Sequence, residues 1–366
     1  MASKPSYRDA VRNIAPYVPG KPISEVKREL GISDVLKMAS NENPLGPSPL
    51  VQQALRESVD QLHLYPDGYA YELRQALAGH LQVEEEQLVF GNGSDEVIRM
   101  IAETYFCPED EVVMATPTFS VYRAVADLMG ARPVEVPLQN HTHNLWAMAQ
   151  AITDQTKAVF ICNPNNPTGT IVSQSQLKSF LRDIPSTAVV VLDEAYYEYV
   201  KDESYRGSLD LIGEDHTVII LRTFSKVYGL AGLRIGYGIS DSETVQLLER
   251  VREPFNTNAM AQIAALASLE DQAHVDESLA VNERGKAYLY RAFEDMGLEY
   301  VPSHTNFILV DVGRDCLRVF EELLAKGVII RAGASFGYPT KIRVTVGTEE
   351  QNTRFVAALA DVLATT

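Results

Sequence analysis

The sequence predicts an α/β fold, a mostly parallel sheet of the seven-stranded type sandwiched by helices, followed by a smaller α+β domain. Short apolar runs alternate with helical patterns through the middle of the chain, and this alternation is typical of βαβ units. The runs are apolar at successive positions rather than at every second one. Strands that are covered on both faces have this pattern, so the sheet is expected to lie between two helical layers.

Six of the apolar runs are predicted to be strands of this sheet: residues 88–90, 111–115, 158–162, 188–192, 218–221 and 233–239. Helical patterns lie between some of them, at residues 119–129 and 174–183. A long helix-rich stretch follows from 259 to 296, with Gly297 as its stop signal. The smaller domain is expected to contain strand 306–312, helix 315–326, strands 328–331 and 342–346, and helix 349–363.

The domain organisation follows from the length and from a change in composition. A chain of 366 residues fits two domains of unequal size. Residues 46–280 are predicted to be the large domain and residues 281–366 the small one. Residues 1–45 are rich in proline and glycine, so they are expected to form an arm that packs with the small domain or with a partner subunit.

The charge and cysteine content restrict the function. The net charge of -17 argues against a nucleic-acid partner and against docking on an anionic membrane. The cysteines Cys107, Cys162 and Cys316 are far apart and have no metal-ligand spacing, so no metal site is expected. The first ten residues lack an apolar signal core, and no apolar run approaches the roughly 18 residues of a spanning helix. We therefore expect a cytoplasmic protein.

Lys226 gives the strongest local signal for chemistry. It ends the run Thr223-Phe224-Ser225-Lys226, directly after a predicted strand, and Arg234 follows eight residues later. Burial lowers the pKa of an amine and yields the neutral form that attacks an aldehyde. Thr223, Ser225 and Arg234 are suitable donors for a phosphate group. The alternative is an ordinary lysine in a surface loop.

Other polar residues follow predicted strands in the same way. Asp193 comes directly after strand 188–192, at the edge where α/β sheets bind ligands. Its alternative role is that of a helix N-cap. Asn166 lies in the turn 163–169, which is either a plain turn or a donor to a ring substituent.

A glycine-rich turn precedes the first predicted helix of the sheet region. Gly93, Ser94 and Asp95 follow strand 88–90, where free backbone amides at a helix N-terminus can bind an anion. Ordinary helix capping is the alternative. Phe119 is either a ring that stacks on a flat ligand or a core residue.

The order of these features along the chain resembles that of the fold type I pyridoxal-phosphate enzymes, and the resemblance covers nearly the whole chain. Among them, the motifs are most similar to those of the histidinol-phosphate aminotransferase family. The similar motifs are residues 40–46, 65–67, 93–96, 163–169, 193–196, 225–226 and 343–347.

The resemblance implies the cofactor pyridoxal 5'-phosphate and a transaminase of histidine biosynthesis. The implied reaction converts histidinol phosphate and 2-oxoglutarate to imidazole acetol phosphate and glutamate. Lys226 would form the Schiff base and carry the proton, and Asp193 would pair with the pyridinium. Asn166 and Tyr196 would contact the ring 3-oxygen, and Phe119 would lie over the ring, where the family often has tyrosine.

The remaining implied roles concern the phosphate group and the substrate. The phosphate would be held by Gly93, Ser94, Asp95, Thr223, Ser225 and Arg234. Tyr65 would reach the phosphate of the neighbouring subunit, which implies a homodimer with shared active sites. The positions that resemble substrate contacts are Tyr17, Asn92, Arg331 and Arg343.

Three alternatives share parts of this scaffold. Aromatic amino-acid aminotransferases use the same cofactor residues, and a close relative decarboxylates threonine phosphate. Transcription regulators with an aminotransferase-like domain need a basic DNA-binding extension ahead of it. The acidic net charge of -17 argues against that last class.

Overall fold

The computed structural model describes residues 7–12, 14, 16, 20–213 and 215–364. Its strands are β1 Leu36–Lys37, β2 Leu88–Gly91, β3 Glu111–Thr116, β4 Arg132–Pro137, β5 Thr156–Cys162, β6 Val189–Asp193, β7 Val218–Thr223, β8 Gly236–Ile239, β9 Tyr300–Val301, β10 Phe307–Asp311, β11 Val328–Ile329, β12 Arg331–Ala332 and β13 Lys341–Thr345. Its α-helices are α1 Asp9–Arg12, α2 Ile23–Leu30, α3 Pro49–Ser58, α4 Tyr71–Leu81, α5 Ser94–Tyr105, α6 Val121–Met129, α7 Leu145–Gln150, α8 Gln174–Asp183, α9 Ser242–Glu249, α10 Ala259–Leu269, α11 Gln272–Asp295, α12 Cys316–Ala325 and α13 Glu349–Ala364.

A seven-stranded sheet forms the centre of the molecule, as predicted. Its strand order is β2-β8-β7-β6-β5-β3-β4, and β8 is antiparallel to both of its neighbours while the other pairs are parallel. Successive residues of β3 enter different cores, Val113 on one face and Val112 and Met114 on the other. The continuous apolar runs therefore arise because both faces of the sheet are buried.

The sequence prediction missed strand β4 at the edge of this sheet. Pro133 and Pro137 lie within it, and most of its residues are at least partly exposed. Proline removes a backbone donor and is tolerated at edge strands, where one side of the strand needs no partner. The apolar pattern that identifies central strands is therefore weak here.

Two predicted strands have different boundaries in the structure. Residues 233–239 were expected to be one strand, but Arg234 has a φ of 57°, and β8 begins only at Gly236. Residues 328–331 were also expected to be one strand. They divide at Ile330, since β11 pairs with β1 and β12 pairs with β13 in another sheet. Periodicity does not reveal such a change of partner.

The C-terminal part contains a four-stranded antiparallel sheet of order β12-β13-β10-β9. Helices α11, α12 and α13 contribute to its core, together with Leu36 and Met38 from the N-terminal segment. Strand β1 pairs in parallel with β11, and Arg354 forms an ion pair with Asp34 at 2.8 Å. These contacts join residues 34–38 to the C-terminal part of the chain.

The domain boundaries near residues 45 and 280 stay a prediction. Residue 280 lies within α11, a helix of 24 residues, so that the two regions share a helix at this point. In the described part of the chain, no helix combines the length and apolar character that a membrane crossing requires.

Candidate active site

A cavity of about 280 Å³ lies where the carboxyl ends of the central strands meet the small sheet. Asp193 ends β6 and Thr223 ends β7, and these parallel strands are neighbours. Their carboxyl ends therefore share one edge of the sheet, the usual ligand-binding edge of such folds. The predicted site residues that line the cavity are Ser94, Asp95, Phe119, Asn166, Asp193, Tyr196, Thr223, Ser225, Lys226, Arg234, Arg331 and Arg343.

Lys226 projects into this cavity from the turn that follows β7. Its Nζ donates to the carbonyl oxygen of Ser40 at 3.5 Å and lies 5.5 Å from the centre of the Tyr196 ring. Burial, followed by the positive charge of Arg343, lowers the pKa of Lys226 to about 8. A substantial fraction of the amine is therefore neutral at mildly alkaline pH and able to act as a nucleophile or base.

Asp193 is buried, with only 3% of its surface exposed. Tyr122 Oη donates to Asp193 Oδ2 at 2.5 Å, and the backbone N–H of Ala195 donates to Oδ1 at 3.1 Å. Burial raises the pKa of Asp193 to about 6. A cationic partner at this position would offset the cost of the buried negative charge.

Asn166 and Tyr196 bring an amide and a hydroxyl to the wall of the cavity. Arg343 Nη1 donates to Asn166 Oδ1, so the amide nitrogen is the group of Asn166 that remains to donate. Burial raises the pKa of Tyr196, which keeps the hydroxyl protonated. Both side chains are therefore suited to donate hydrogen bonds to an anionic oxygen.

The N-terminus of α5 and Arg234 form a cradle for an anion. Arg234 Nη2 lies 3.2 Å from Asp95 Oδ2. A Cβ atom at Gly93, whose φ is +82°, would lie 2.4 Å from Arg234 Nη2, and one at Gly236 would lie 2.4 Å from the Ser94 backbone nitrogen. Only glycine permits this approach of backbone amides and guanidinium, an arrangement typical of phosphate sites.

Arg331 and Arg343 enter the cavity from the small sheet. They are register partners on the antiparallel strands β12 and β13, so the two guanidinium groups reach the same region. Arg343 Nη2 donates to the carbonyl oxygen of Ala39 at 2.8 Å, and Phe336 lies beside both guanidinium groups. The pair places positive charge where an anionic substrate group would bind.

Among the described residues, three of the predicted site residues do not line the cavity. Gly93 is buried beside Arg234, and Asn92 is exposed, with its backbone N–H directed to Glu96 Oε2 at 2.5 Å. Tyr65 is 83% exposed and lines a separate groove. Tyr17 lies outside the described residues.

Sequence reasoning missed two residues that contact the predicted ones. Tyr122 binds Asp193 from α6, and it had the pattern of an ordinary core residue. Asn41 donates to Tyr196 Oη at 2.8 Å. The signal for Asn41 was its place in the motif 40–46, and for Tyr122 it was a hydroxyl in a buried helix face, which requires a partner.

The donor set fits pyridoxal 5'-phosphate. The cavity offers an amine for the aldehyde, a buried carboxylate for the ring nitrogen and two donors for the ring oxygen. A glycine-lined cradle offers amides and a guanidinium for the phosphate group. In the described ranges, no group of three or more histidine, cysteine, aspartate or glutamate side chains is placed to hold a metal ion.

Comparison with known proteins supports the same chemistry. The family described as "Aminotransferase class I and II" matches residues 33–359. A histidinol-phosphate aminotransferase of Moorella thermoacetica is 56% identical over 100% of this chain and 95% of its own length. One from Caldicellulosiruptor saccharolyticus is 49% identical over 98% of this chain and 100% of its own length.

A solved structure extends the comparison to the fold. The histidinol-phosphate aminotransferase of Sinorhizobium meliloti, in complex with pyridoxal-5'-phosphate, superimposes with a TM-score of 0.92 and 28% identity. The match covers 100% of this chain and 99% of that chain. From the family match and from the identity along the full chain, it follows that this protein belongs to the class I and II aminotransferases, and among them to the histidinol-phosphate aminotransferase family.

Proposed function

We propose that this chain uses pyridoxal 5'-phosphate to transfer an amino group between histidinol phosphate and 2-oxoglutarate, a step of histidine biosynthesis. The observation that carries the proposal is one cavity that joins Lys226 and Asp193 to the anion cradle and to two arginines. The relatives described above are named histidinol-phosphate aminotransferases.

The cofactor would be held by residues at the ends of β2, β3, β5, β6 and β7 and by Arg234 ahead of β8. Asp193 would pair with the ring nitrogen, Asn166 and Tyr196 with the ring oxygen, and Phe119 would lie against the ring. Ser94, Asp95, Thr223, Ser225 and Arg234 would bind the phosphate group, with Gly93 allowing their approach. When bound, the cofactor supplies an electron sink that stabilises negative charge on the substrate carbon that carries the amine.

Lys226 is the residue that moves the proton. Its Nζ accepts the proton from the substrate carbon, a role that requires the neutral amine. Because burial lowers the pKa of Lys226 to about 8, the neutral form is accessible near physiological pH. Asp193 would act on the same step by keeping the ring nitrogen of the cofactor positively charged, because its carboxylate is buried.

Arg343 and Arg331 orient the substrate. Histidinol phosphate carries a phosphate group and glutamate carries carboxylates, and guanidinium groups bind both kinds of anion with two hydrogen bonds. Arg343 is itself held by Ala39 and Asn166 and stacks near Phe307 at 5.1 Å. A substrate anion would therefore meet a guanidinium group whose position is already fixed, which reduces the entropy cost of binding.

We also propose a homodimer with shared active sites. Support comes from an exposed apolar surface around the end of α3 and the start of α4, formed by Val59, Leu62, Leu64, Tyr65, Tyr69, Tyr71 and Phe255. Tyr65 stacks on Phe255 at 4.8 Å, so its ring is held in an exposed position. Contiguous apolar surface of this kind marks contact sites between proteins.

The proposed location is the cytoplasm. Its support is the cysteine chemistry, since Cys107, Cys162 and Cys316 are all free thiols in the structure. Disulfides are rare in reducing compartments.

A half-reaction tests the proposed function directly. The chain is loaded with pyridoxal 5'-phosphate, and its visible absorbance is followed after addition of one donor without an acceptor. Histidinol phosphate and glutamate should each convert the spectrum to that of the amine form, and 2-oxoglutarate should restore it. A spectrum that responds to neither donor would contradict the proposal, and a response to phenylalanine alone would favour an aromatic aminotransferase.

A further inference from the structure

Asn41 lies in the wall of the cavity with 2% of its surface exposed. Its backbone φ is 57°, a left-handed conformation that asparagine adopts more readily than most residues. Its side-chain Nδ2 donates to Tyr196 Oη at 2.8 Å. The chain thus holds an uncommon backbone conformation at the position that contacts the hydroxyl of Tyr196.

The amide oxygen and the amide nitrogen of Asn41 contact different partners. Thr345 Oγ1 accepts from the backbone N–H of Asn41 at 2.9 Å, and it donates its own proton to Asn41 Oδ1 at 3.2 Å. A threonine hydroxyl has one proton, and in the structure Asn41 Oδ1 accepts it. With Oδ1 facing Thr345, the amide nitrogen faces Tyr196 Oη.

Residues distant in sequence hold Asn41 in this position. Thr345 ends β13, and Asn306 Nδ2 donates to the backbone carbonyl oxygen of Asn41 at 2.9 Å from the start of β10. Tyr196 follows β6 in the central sheet. The contact between Asn41 and Tyr196 thus depends on how residues 40 and 41 are seated against the small sheet.

The network also determines the direction of the Tyr196 hydrogen bond. Because Tyr196 Oη accepts from Asn41, its single proton remains for another acceptor. Burial raises the pKa of Tyr196, and the nearby charge of Arg343 and the bond from Asn41 oppose this rise without reversing it. The hydroxyl therefore stays protonated and donates into the cavity.

We propose that Asn41 is a positioning residue for the transamination, because its amide makes the Tyr196 hydroxyl a hydrogen-bond donor toward the ring oxygen of the cofactor. This inference rests on the function proposed above. Asn41 acts through Tyr196 and need not touch the cofactor itself. An acceptor at position 41 would turn the hydroxyl proton away from the cavity.

A spectroscopic titration separates this role from a structural one. A donor to the ring oxygen stabilises negative charge there, and its loss lets that oxygen hold a nearby proton more tightly. Asn41→Gly, which tolerates the left-handed backbone, and Asn41→Asp, which keeps the size but provides an acceptor, should each raise the apparent pKa of the visible absorbance band by about half a unit or more. Four charged groups also influence the pKa of Lys226 and stay unchanged in these variants. They are Arg343, Asp95, Glu42 and Arg234.

The same titration in the Tyr196→Phe background decides whether Asn41 acts through the hydroxyl. There, Asn41→Gly should cause no further shift, and Asn41→Asp should cause a smaller shift that reflects only its added charge. The matched control is Asn140→Gly, because Asn140 is exposed and also left-handed, with a φ of 50°, but lies outside the cavity. This variant should titrate as the unmodified chain does.

The contrary outcomes are distinct. An unchanged titration in Asn41→Gly and Asn41→Asp, or a full Asn41→Gly shift that persists in Tyr196→Phe, would overturn the role of Asn41. An unmodified chain that forms no visible band with pyridoxal 5'-phosphate would overturn the proposed function, and the inference with it.

Discussion

At the scale of single residues, burial accounts for the chemical properties of the cavity. The same loss of water lowers the pKa of Lys226 to about 8 and raises the pKa of Asp193 to about 6. Burial disfavours the charged form in both cases, so an amine and a carboxylate shift in opposite directions. Lys226 is thereby suited to react with an aldehyde as a neutral amine. Asp193 is suited to pair with a cationic ring nitrogen.

The first prediction concerns the identity of the reactive amine. Borohydride reduction of the loaded chain should attach the cofactor to Lys226, and peptide mapping should find the label there. The rate of capture by the cofactor-free chain should rise with pH and level off above about 8, because the protonated amine predominates below the lowered pKa. Lys226→Ala should abolish the label, while the control Lys286→Met, at another buried lysine, should retain it. A label on a different lysine would refute the assignment.

The second prediction uses the raised pKa of Asp193. In the cofactor-free chain, this group contributes stability below its unfolded pKa of about 4, and that contribution is lost as the pH rises through about 6. Asp193→Asn should therefore increase the free energy of unfolding at pH 8, on the order of 1–3 kcal/mol, and have a smaller effect at pH 5. Turnover should fall at least about 100-fold, roughly 2.7 kcal/mol.

Chemical denaturation at the two pH values and steady-state kinetics measure these effects. The control Asp154→Asn, at an exposed aspartate, should change neither quantity. Asp193 ends β6 and caps no helix of the described chain, so a variant that is less stable at pH 8 and retains turnover within a few-fold would show that Asp193 only stabilises the turn after β6.

At the scale of elements, the sequence predicted those strands whose role depends on burial alone. The continuous apolar runs identified β6 and β7, and their carboxyl ends located Asp193 and Lys226 correctly at one edge. The turn at Arg234 was not predicted, because a left-handed residue leaves no periodic signal. The change of partner at Ile330 was missed for the related reason that long-range pairing is not encoded in local pattern.

The side-chain contacts between different elements could not be predicted from the sequence either. Arg222 on β7 forms a buried ion pair with Glu194 at 2.7 Å and stacks over the Tyr197 ring at 3.9 Å. Tyr122 and Asn41 approach their partners from distant parts of the chain. Such contacts depend on the three-dimensional arrangement of strands and helices, and one sequence reveals the residue types but not their neighbours.

The third prediction belongs to the strand pair β12 and β13. Arg343→Ala should lower kcat/KM for both histidinol phosphate and glutamate at least about 10-fold, roughly 1.4 kcal/mol, because both donors present an anion. Arg331→Ala should impair histidinol phosphate more than phenylalanine, since only the former carries a dianion. The control Arg318→Ala removes an exposed arginine that pairs with Glu322 and should leave kinetics unchanged. Equal losses for the two donors in Arg331→Ala would refute phosphate recognition by Arg331.

At the scale of the whole molecule, the proposed homodimer is the feature that depends on an exposed apolar surface. The apolar surface around Tyr65 and Phe255 is exposed, and no segment of the described chain covers it. The chain as a whole is acidic, with a net charge of -17. The cavity, in contrast, brings one lysine and three arginines together. The proposed dimer would cover the apolar surface and bring Tyr65 to the neighbouring cavity.

The fourth prediction tests this sharing by mixing two variants. Lys226→Ala chains should be inactive, and Tyr65→Phe chains should bind the cofactor more weakly. If Tyr65 serves the other subunit, a mixed dimer contains one site with both Lys226 and Tyr65 intact, so mixing should restore activity at low cofactor concentration. If Tyr65 serves its own chain, no intact site forms. The control mixture of Lys226→Ala with Lys226→Met should stay inactive.

The most direct measurement for the central claim is a comparison of amino donors under turnover. The loaded chain is assayed with 2-oxoglutarate and either histidinol phosphate or phenylalanine, and kcat/KM is determined for each donor. The account predicts a larger kcat/KM for histidinol phosphate, because Arg331 and Arg343 present two guanidinium groups to its phosphate. Faster turnover of phenylalanine than of histidinol phosphate would contradict it.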